Sequence, residues 1–132
     1  MGWVSFVSIY RKTIYFLIYY TNLIHVRKTM KTKNIDLAEM HQAADQACRL
    51  MKVLANADRL MLLCELAHGE KCVSELEALL GIVQPTLSQQ LTVLRNEELV
   101  TTRREGKNIY YQISSPEALA VMQVLYKTYC NG

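Results

Sequence analysis

Four cysteines carry the most distinctive chemistry in this chain: Cys48, Cys64, Cys72 and Cys130. A thiolate is a nucleophile, a redox centre and a ligand for soft metal ions. No two of the four form a Cys-x-x-Cys pair, and no Cys/His spacing matches a zinc finger. His25, His41 and His68 have no partner at metal-ligand spacing. The spacing is also unlike a secreted disulfide framework, which points to reduced, sensing-competent thiols in the cytoplasm. No Ser/His/Asp set, phosphate loop or paired acids accompany them, so neither an enzyme nor a cofactor is expected. Cys72 stands at or near the N-cap of a short helix, where free backbone N–H groups favour a thiolate.

A second kind of chemistry lies between Val73 and Ile113. After Gly81 and Pro85, Leu87, Leu91 and Leu94 mark the core face of a helix with Pro85 in its first turn. Its other face carries Gln84, Thr86, Ser88, Gln89, Gln90 and Thr92. Pro85 to Leu94 holds no charge, whereas a merely solvated helix face usually carries Glu and Lys. Amides and hydroxyls suit base edges and phosphates in the major groove of double-stranded DNA. Two β-favouring runs follow, Leu99 to Glu105 and Asn108 to Ile113, around a Glu105-Gly106-Lys107 turn. Arg103, Arg104 and Lys107 place positive charge at the hairpin tip, facing phosphate or the minor groove. Glu97, Glu98 and Glu105 oppose them, so this head is only weakly basic.

The elements that must position these groups are helical. Leu37, Met40, Ala44, Ala47, Met51 and Leu54 repeat at three and four residues, the stripe of a long amphipathic helix suited to dimerisation. Cys48 borders that stripe as a small apolar filler. Asn56 caps a second helix, Ala57 to Ala67, whose Leu60, Met61, Leu62 and Leu63 predict burial all round. Val73 to Leu80 turns Leu76, Leu79 and Leu80 to the core, and Gly81 permits a left-handed turn. Ser115 caps a last helix opened by Pro116, with Leu119, Met122, Leu125, Tyr126 and Tyr129 on its stripe.

At 132 residues the chain is one domain by length. Residues 1–34 do not conform to it and read as a hydrophobic, basic tail outside the fold; residues 35–132 are the working domain. The first 30 residues hold seven of the eleven aromatics and Arg11, Lys12, Arg27 and Lys28 without an acid. Without them the charge falls from +3 to −1, with 11 Lys plus Arg against 12 Asp plus Glu. The basic balance therefore belongs to the tail and is no argument for nucleic-acid binding. Neither apolar run there reaches the roughly 18 residues of a spanning helix. Met30 or Met40 is the expected start, and no membrane partner is expected unless the tail is real and ordered, as an aromatic and basic surface anchor.

From about Met40 to Cys130 the chain resembles the ArsR family of winged-helix repressors. The matching pieces are LMKVLANADRLMLLCEL, VSELEALLGIVQPTLSQQLTVLRNEELV and TTRREGKNIYYQI. The resemblance implies a mainly α fold with a β-hairpin wing, in the order α1-α2-α3-α4-β-β-α5, a homodimer, and operator binding that an inducer ends. The family's arsenic, cadmium and lead sensors begin the third helix with Cys-x-Cys, but here the place reads Cys72-Val73-Ser74. Its zinc sensors use Asp and His pairs on the last helix, and residues 116–130 contain neither. The nearer likeness is to the biofilm growth-associated and persulfide-responsive repressors, which carry one Cys in the second helix and one at the end of the last, as LMLLCEL and LYKTYC do here. That likeness implies that reactive sulfur species or oxidants join Cys64 to Cys130 by a disulfide or short polysulfide, releasing genes of sulfide detoxification. The alternative is a soft-metal or metalloid sensor using Cys72 with Cys48 or Cys64.

Overall fold

The structure, a computed structural model, describes residues 36–130 together with Leu17, Tyr20, Thr21, Leu23 and Ile24, these five being helical. Most of the tail expected at residues 1–34 lies outside the described residues. No helix among the described residues is long and apolar enough to cross a membrane. The chain divides into a unit of residues 1–41 and a unit of residues 42–132, and the polar-faced helix and hairpin belong to the second.

The elements run α1 (Leu37–Leu54), α2 (Ala57–Ala67), β1 (Lys71–Cys72), α3 (Val73–Leu80), α4 (Thr86–Asn96), β2 (Val100–Glu105), β3 (Asn108–Ile113) and α5 (Pro116–Tyr129). Local chemistry sets their ends. The Asn56 side chain accepts from the Arg59 N–H at 3.0 Å and starts α2. Ser115 Oγ accepts from the Ala118 N–H at 3.1 Å ahead of Pro116, as expected for α5. Gly81 takes φ 67° after α3, and its N–H returns to Glu77 O at 2.9 Å. Helix α4 begins one residue later than expected, so Pro85 occupies the N-cap rather than the first turn. After its C-cap, Glu97, comes a non-glycine residue, Glu98, held at φ 59°, where glycine is usual.

The hairpin pairs Val100 with Ile113 through Glu105 with Asn108, leaving the two-residue turn Gly106-Lys107 with Gly106 at φ 60°. A third strand, unforeseen in the sequence, joins it. Lys71 pairs with Tyr111 and Cys72 with Tyr110, giving the antiparallel order β1-β3-β2. Two residues are too few to show a period of two. Their effect is to tie the start of α3 to the wing.

Leu62, Leu63, Leu76, Leu87, Leu91, Leu94 and Val100 are fully buried and form the centre of the core with Ala118 and Met122. Two expectations are corrected. Leu79 is 58% exposed, on the outer face of a helix only eight residues long. Met61 is exposed and Leu60 half-buried, so α2 presents one side to solvent. The α1 stripe, expected to serve dimerisation, is by contrast largely uncovered within one chain: only Leu54 is buried, and Leu37, Met40 and Met51 are more than half exposed.

Candidate nucleic-acid interface and thiol pair

Helix α4 has the two-sided construction its sequence requires. Leu87, Leu91 and Leu94 are buried against the core, while Gln84, Ser88, Gln89 and Thr92 are exposed and Thr86 and Gln90 half-buried. The six polar residues are not equivalent. Gln84 Oε1 accepts from the Ser88 N–H at 3.2 Å and from Ser88 Oγ, replacing the side-chain cap that Pro85 cannot supply. Thr92 Oγ1 donates to Ser88 O at 2.7 Å. Gln90 Oε1 accepts from Arg59 at 2.8 Å, and the same guanidinium donates to Val53 O at 2.5 Å. Gln90 therefore braces α4 against α2 and the end of α1. Gln89 is exposed and makes no side-chain hydrogen bond among the described residues, leaving both its donor and its acceptor for a ligand.

The wing divides its cations. Arg103 donates to Glu70 Oε2 at 2.7 Å and, with its other nitrogens, to Glu70 Oε1 and Glu105 Oε2; its guanidinium also lies 4.5 Å from the centre of the Tyr110 ring. These bonds hold the Glu70 carboxyl below the usual carboxylate range and raise the Arg103 pKa further. Arg103, expected to meet phosphate, is thus already paired with two carboxylates. Arg104 only donates to Gly106 O at 3.1 Å, and neither it nor Lys107 has an acidic partner among the described residues. Nothing in the sequence signalled Glu70 as a partner, since 33 residues separate it from Arg103.

The cysteines occupy three different settings, and all are free thiols. Cys48 is exposed on α1. Cys72 is buried at the N-cap of α3, as expected, with Sγ 3.1 Å from Ser74 Oγ and its N–H donating to Glu75 Oε2 at 2.8 Å. That bond keeps the Glu75 carboxyl below its usual range. Cys64 is half-buried on α2, which packs directly on α5, and Cys130 is exposed at the C-cap of α5. Burial pushes the Cys64 thiol pKa up, and the neighbouring Cys130 and then Glu65 push the same way. Two cysteines 66 positions apart in sequence are therefore close enough for the charge of one to oppose ionisation of the other. Among the described residues no three His, Cys, Asp or Glu side chains converge on a metal-sized site.

Beside Cys64 is a recess of about 160 Å³, walled also by Ala67, His68, Met122 and Tyr126 among others. His68 gave no sign of this in the sequence, where it has no partner at metal-ligand spacing. A larger groove of about 690 Å³ runs along Ala47, Leu50, Val53, Leu99, Ala120 and Val121, between α1 and α5.

This architecture has known counterparts. Residues 56–102 match the family described as bacterial regulatory protein, arsR family. The biofilm growth-associated repressor of Agrobacterium fabrum is 46% identical over 105 residues, 80% of this chain and 90% of that protein. The crystal structure of the transcriptional repressor BigR from Xylella fastidiosa superimposes with a TM-score of 0.67 at 44% identity, over 70% of this chain and 95% of that one. Reduced HlyU from Vibrio cholerae superimposes at 0.68 with 40% identity, over 71% and 99%. The expected mainly helical, winged-helix fold is the fold of these regulators. By sequence, by fold and by the helix it presents, the chain belongs to the ArsR family of bacterial regulatory proteins: it is a DNA-binding transcriptional regulator, not an enzyme.

Proposed function

We propose that the protein is a homodimeric repressor that holds operator DNA while its thiols are reduced and releases it when a reactive sulfur species joins Cys64 to Cys130. The observation that carries this reading is the packing of α2 on α5. Cys64 and Tyr126 line one recess, and Cys130 follows Tyr126 by one helical turn, with its N–H on Tyr126 O at 2.9 Å, which supports a thiol pair at one end of the helix pair. The similarity to proteins named biofilm growth-associated repressor supports the repressor half.

The chemistry balances with one persulfide. The exposed Cys130 thiolate takes the outer sulfur of R–S–SH, giving Cys130–S–SH and releasing R–S⁻. The Cys64 thiolate, its proton passed to the released R–S⁻, then attacks Cys130 Sγ and expels HS⁻, leaving a Cys64–Cys130 disulfide. The two thiols lose two electrons, and the persulfide gains them as a thiol and sulfide. The new bond draws the end of α5 onto α2. Helix α5 and the open face of α1 are the surfaces proposed to pair in the dimer, so a shift there changes the spacing of the two α4 helices, which must match successive major grooves about 34 Å apart. The controlled genes are proposed to serve sulfide detoxification.

Binding to DNA from the protein's own promoter, before and after dosing with a low-molecular-weight persulfide, tests the reading. Wild type is expected to lose binding and two hydrogens of intact mass. Cys64→Ser is expected to keep binding through the same dose; full release of that variant would sink the proposal. The soft-metal alternative, Cys72 with Cys48 or Cys64, predicts instead tight stoichiometric binding of As(III) or Cd(II) that is lost in Cys72→Ser.

A further inference from the structure

The turn that carries Cys64 ends in an unusual cap. At the C-terminus of a helix the last carbonyls lack backbone partners. The His68 N–H bonds Glu65 O at 3.1 Å, leaving the carbonyl of Cys64 without its N–H four residues on. The His68 ring fills that place, with Nδ1 2.9 Å from Cys64 O. A carbonyl can only accept, so Nδ1 carries the proton and the ring orientation is fixed. Held this way, the imidazole meets the Tyr126 ring edge to face, with centroids 6.4 Å apart and planes at 75°. Tyr126 in turn accepts the Cys130 N–H on its own carbonyl at 2.9 Å. A continuous path runs from the backbone of one thiol residue to the backbone of the other: Cys64 O, His68, Tyr126, Cys130 N–H.

We propose that His68 and Tyr126 form a clasp that holds the Cys64 and Cys130 turns together for bond formation, making His68 a positioning residue for the thiol pair. This rests on the reading of Cys64 and Cys130 as the sensing thiols. The end of a helix frays most readily, and Cys130 is the C-cap of α5. Without a clasp, that turn would visit many positions and the second thiol would seldom be in reach. The ring contact bears on the last turn of α5, where that freedom lies. It raises the effective concentration of one thiol at the other without touching either sulfur.

The full chain, as wild type, H68A, Y126L, Y126F and the H68A/Y126L double variant, is equilibrated with mixtures of reduced and oxidised glutathione. Intact mass and peptide mapping give the fraction bearing a Cys64–Cys130 bond, and from it the effective concentration of the pair. Iodoacetamide alkylation of each thiol, which needs no partner, is followed in parallel. An aromatic pair of this kind is worth up to about tenfold, so H68A and Y126L are each expected to lower the effective concentration by roughly tenfold. Y126F keeps the ring and is expected to match wild type. The double variant is expected to be no worse than either single one, because both break the same ring pair. Alkylation rates are expected to stay unchanged. H68A that closes as readily as wild type, or losses that multiply in the double variant, overturns the clasp. A wild type that closes while H68A does too refutes only the clasp; a wild type that never forms the bond refutes the sensing reading and the clasp with it.

Discussion

The head that meets DNA and the helices that flank it are built to opposite standards of completion. Helix α4 is finished within one chain: Leu87 and Leu94 are 0% exposed, Leu91 is 1%, and its start and middle are braced by Gln84 and Arg59. Helix α1 and the end of α5 are left open, with Met51 58%, Val124 63% and Tyr129 79% exposed. Large apolar side chains in this number on two neighbouring helices are what the proposed dimer partner would cover. The difference assigns the two jobs of a regulator to different parts of the molecule. The reading helix has one shape, set by a closed core. In the proposed reading its placement on DNA is set elsewhere, by a surface that one chain does not complete and beside which the proposed Cys64–Cys130 pair lies. The proposed disulfide at the open end would then move a reader without unfolding it.

Substitutions on the two sides should separate stability from assembly. Leu91→Ala removes a fully buried side chain, and about 2–5 kcal/mol of folding free energy should go with it. Urea denaturation at high protein concentration would register the whole loss. Met51→Glu should leave that curve close to wild type while weakening self-association by on the order of tenfold or more, through a charge placed in an apolar interface. Sedimentation equilibrium separates the two. Equal association in Met51→Glu and wild type would remove α1 from the dimer surface and erase the contrast between a closed head and open flanking helices.

Within the head, a sharper division is expected between polar residues that brace and those that read. Gln89 is free to meet a base edge, and Gln89→Ala should cost about 1–3 kcal/mol of specific affinity with little effect on binding to random DNA. Gln90→Ala should instead lower stability, since Arg59 then loses a partner. On the wing, Arg104→Ala and Lys107→Ala should each reduce the slope of log affinity against log salt by about 0.9 for every phosphate the side chain neutralises. Arg103→Ala should change it less, because Glu70 and Glu105 already neutralise that charge. A larger effect for Arg103 would mean that DNA breaks these ion pairs on binding.

Sequence spacing was a good guide wherever one residue does one local job. Asn56, Gly81, Ser115 and the leucines of α4 all stand as their types require. The family fold followed from the same signals. Legibility failed where a partner is distant. Glu70 with Arg103, Arg59 with Gln90 and His68 with Tyr126 are long-range pairs, invisible to periodicity. The α1 stripe has the period expected of a dimerisation helix, though an apolar stripe by itself does not say whether its own chain or another copy covers it. The thiol pair was suggested by resemblance alone, and only the packing of α2 on α5 supplies a physical reason for it.

The smallest effect expected is also the most direct measure of how close the two thiols are. Burial, Cys130 and Glu65 all raise the Cys64 thiol pKa, in that order. A raised value means that the folded chain binds this proton more tightly than the unfolded one. The stability Cys64 contributes is therefore full below the ordinary thiol pKa, about 8.5, and is lost as the pH climbs through the raised value. The same shift lowers the thiolate fraction near neutrality, so iodoacetamide should alkylate Cys64 more slowly than a free thiol and reach half its limiting rate at higher pH. Cys130→Ser removes the second cause and leaves the first. The midpoint for Cys64 should then move down but remain above the ordinary thiol range. A midpoint that does not move would place Cys130 too far away to act on Cys64, and the proposed bond between them would lose its geometric basis.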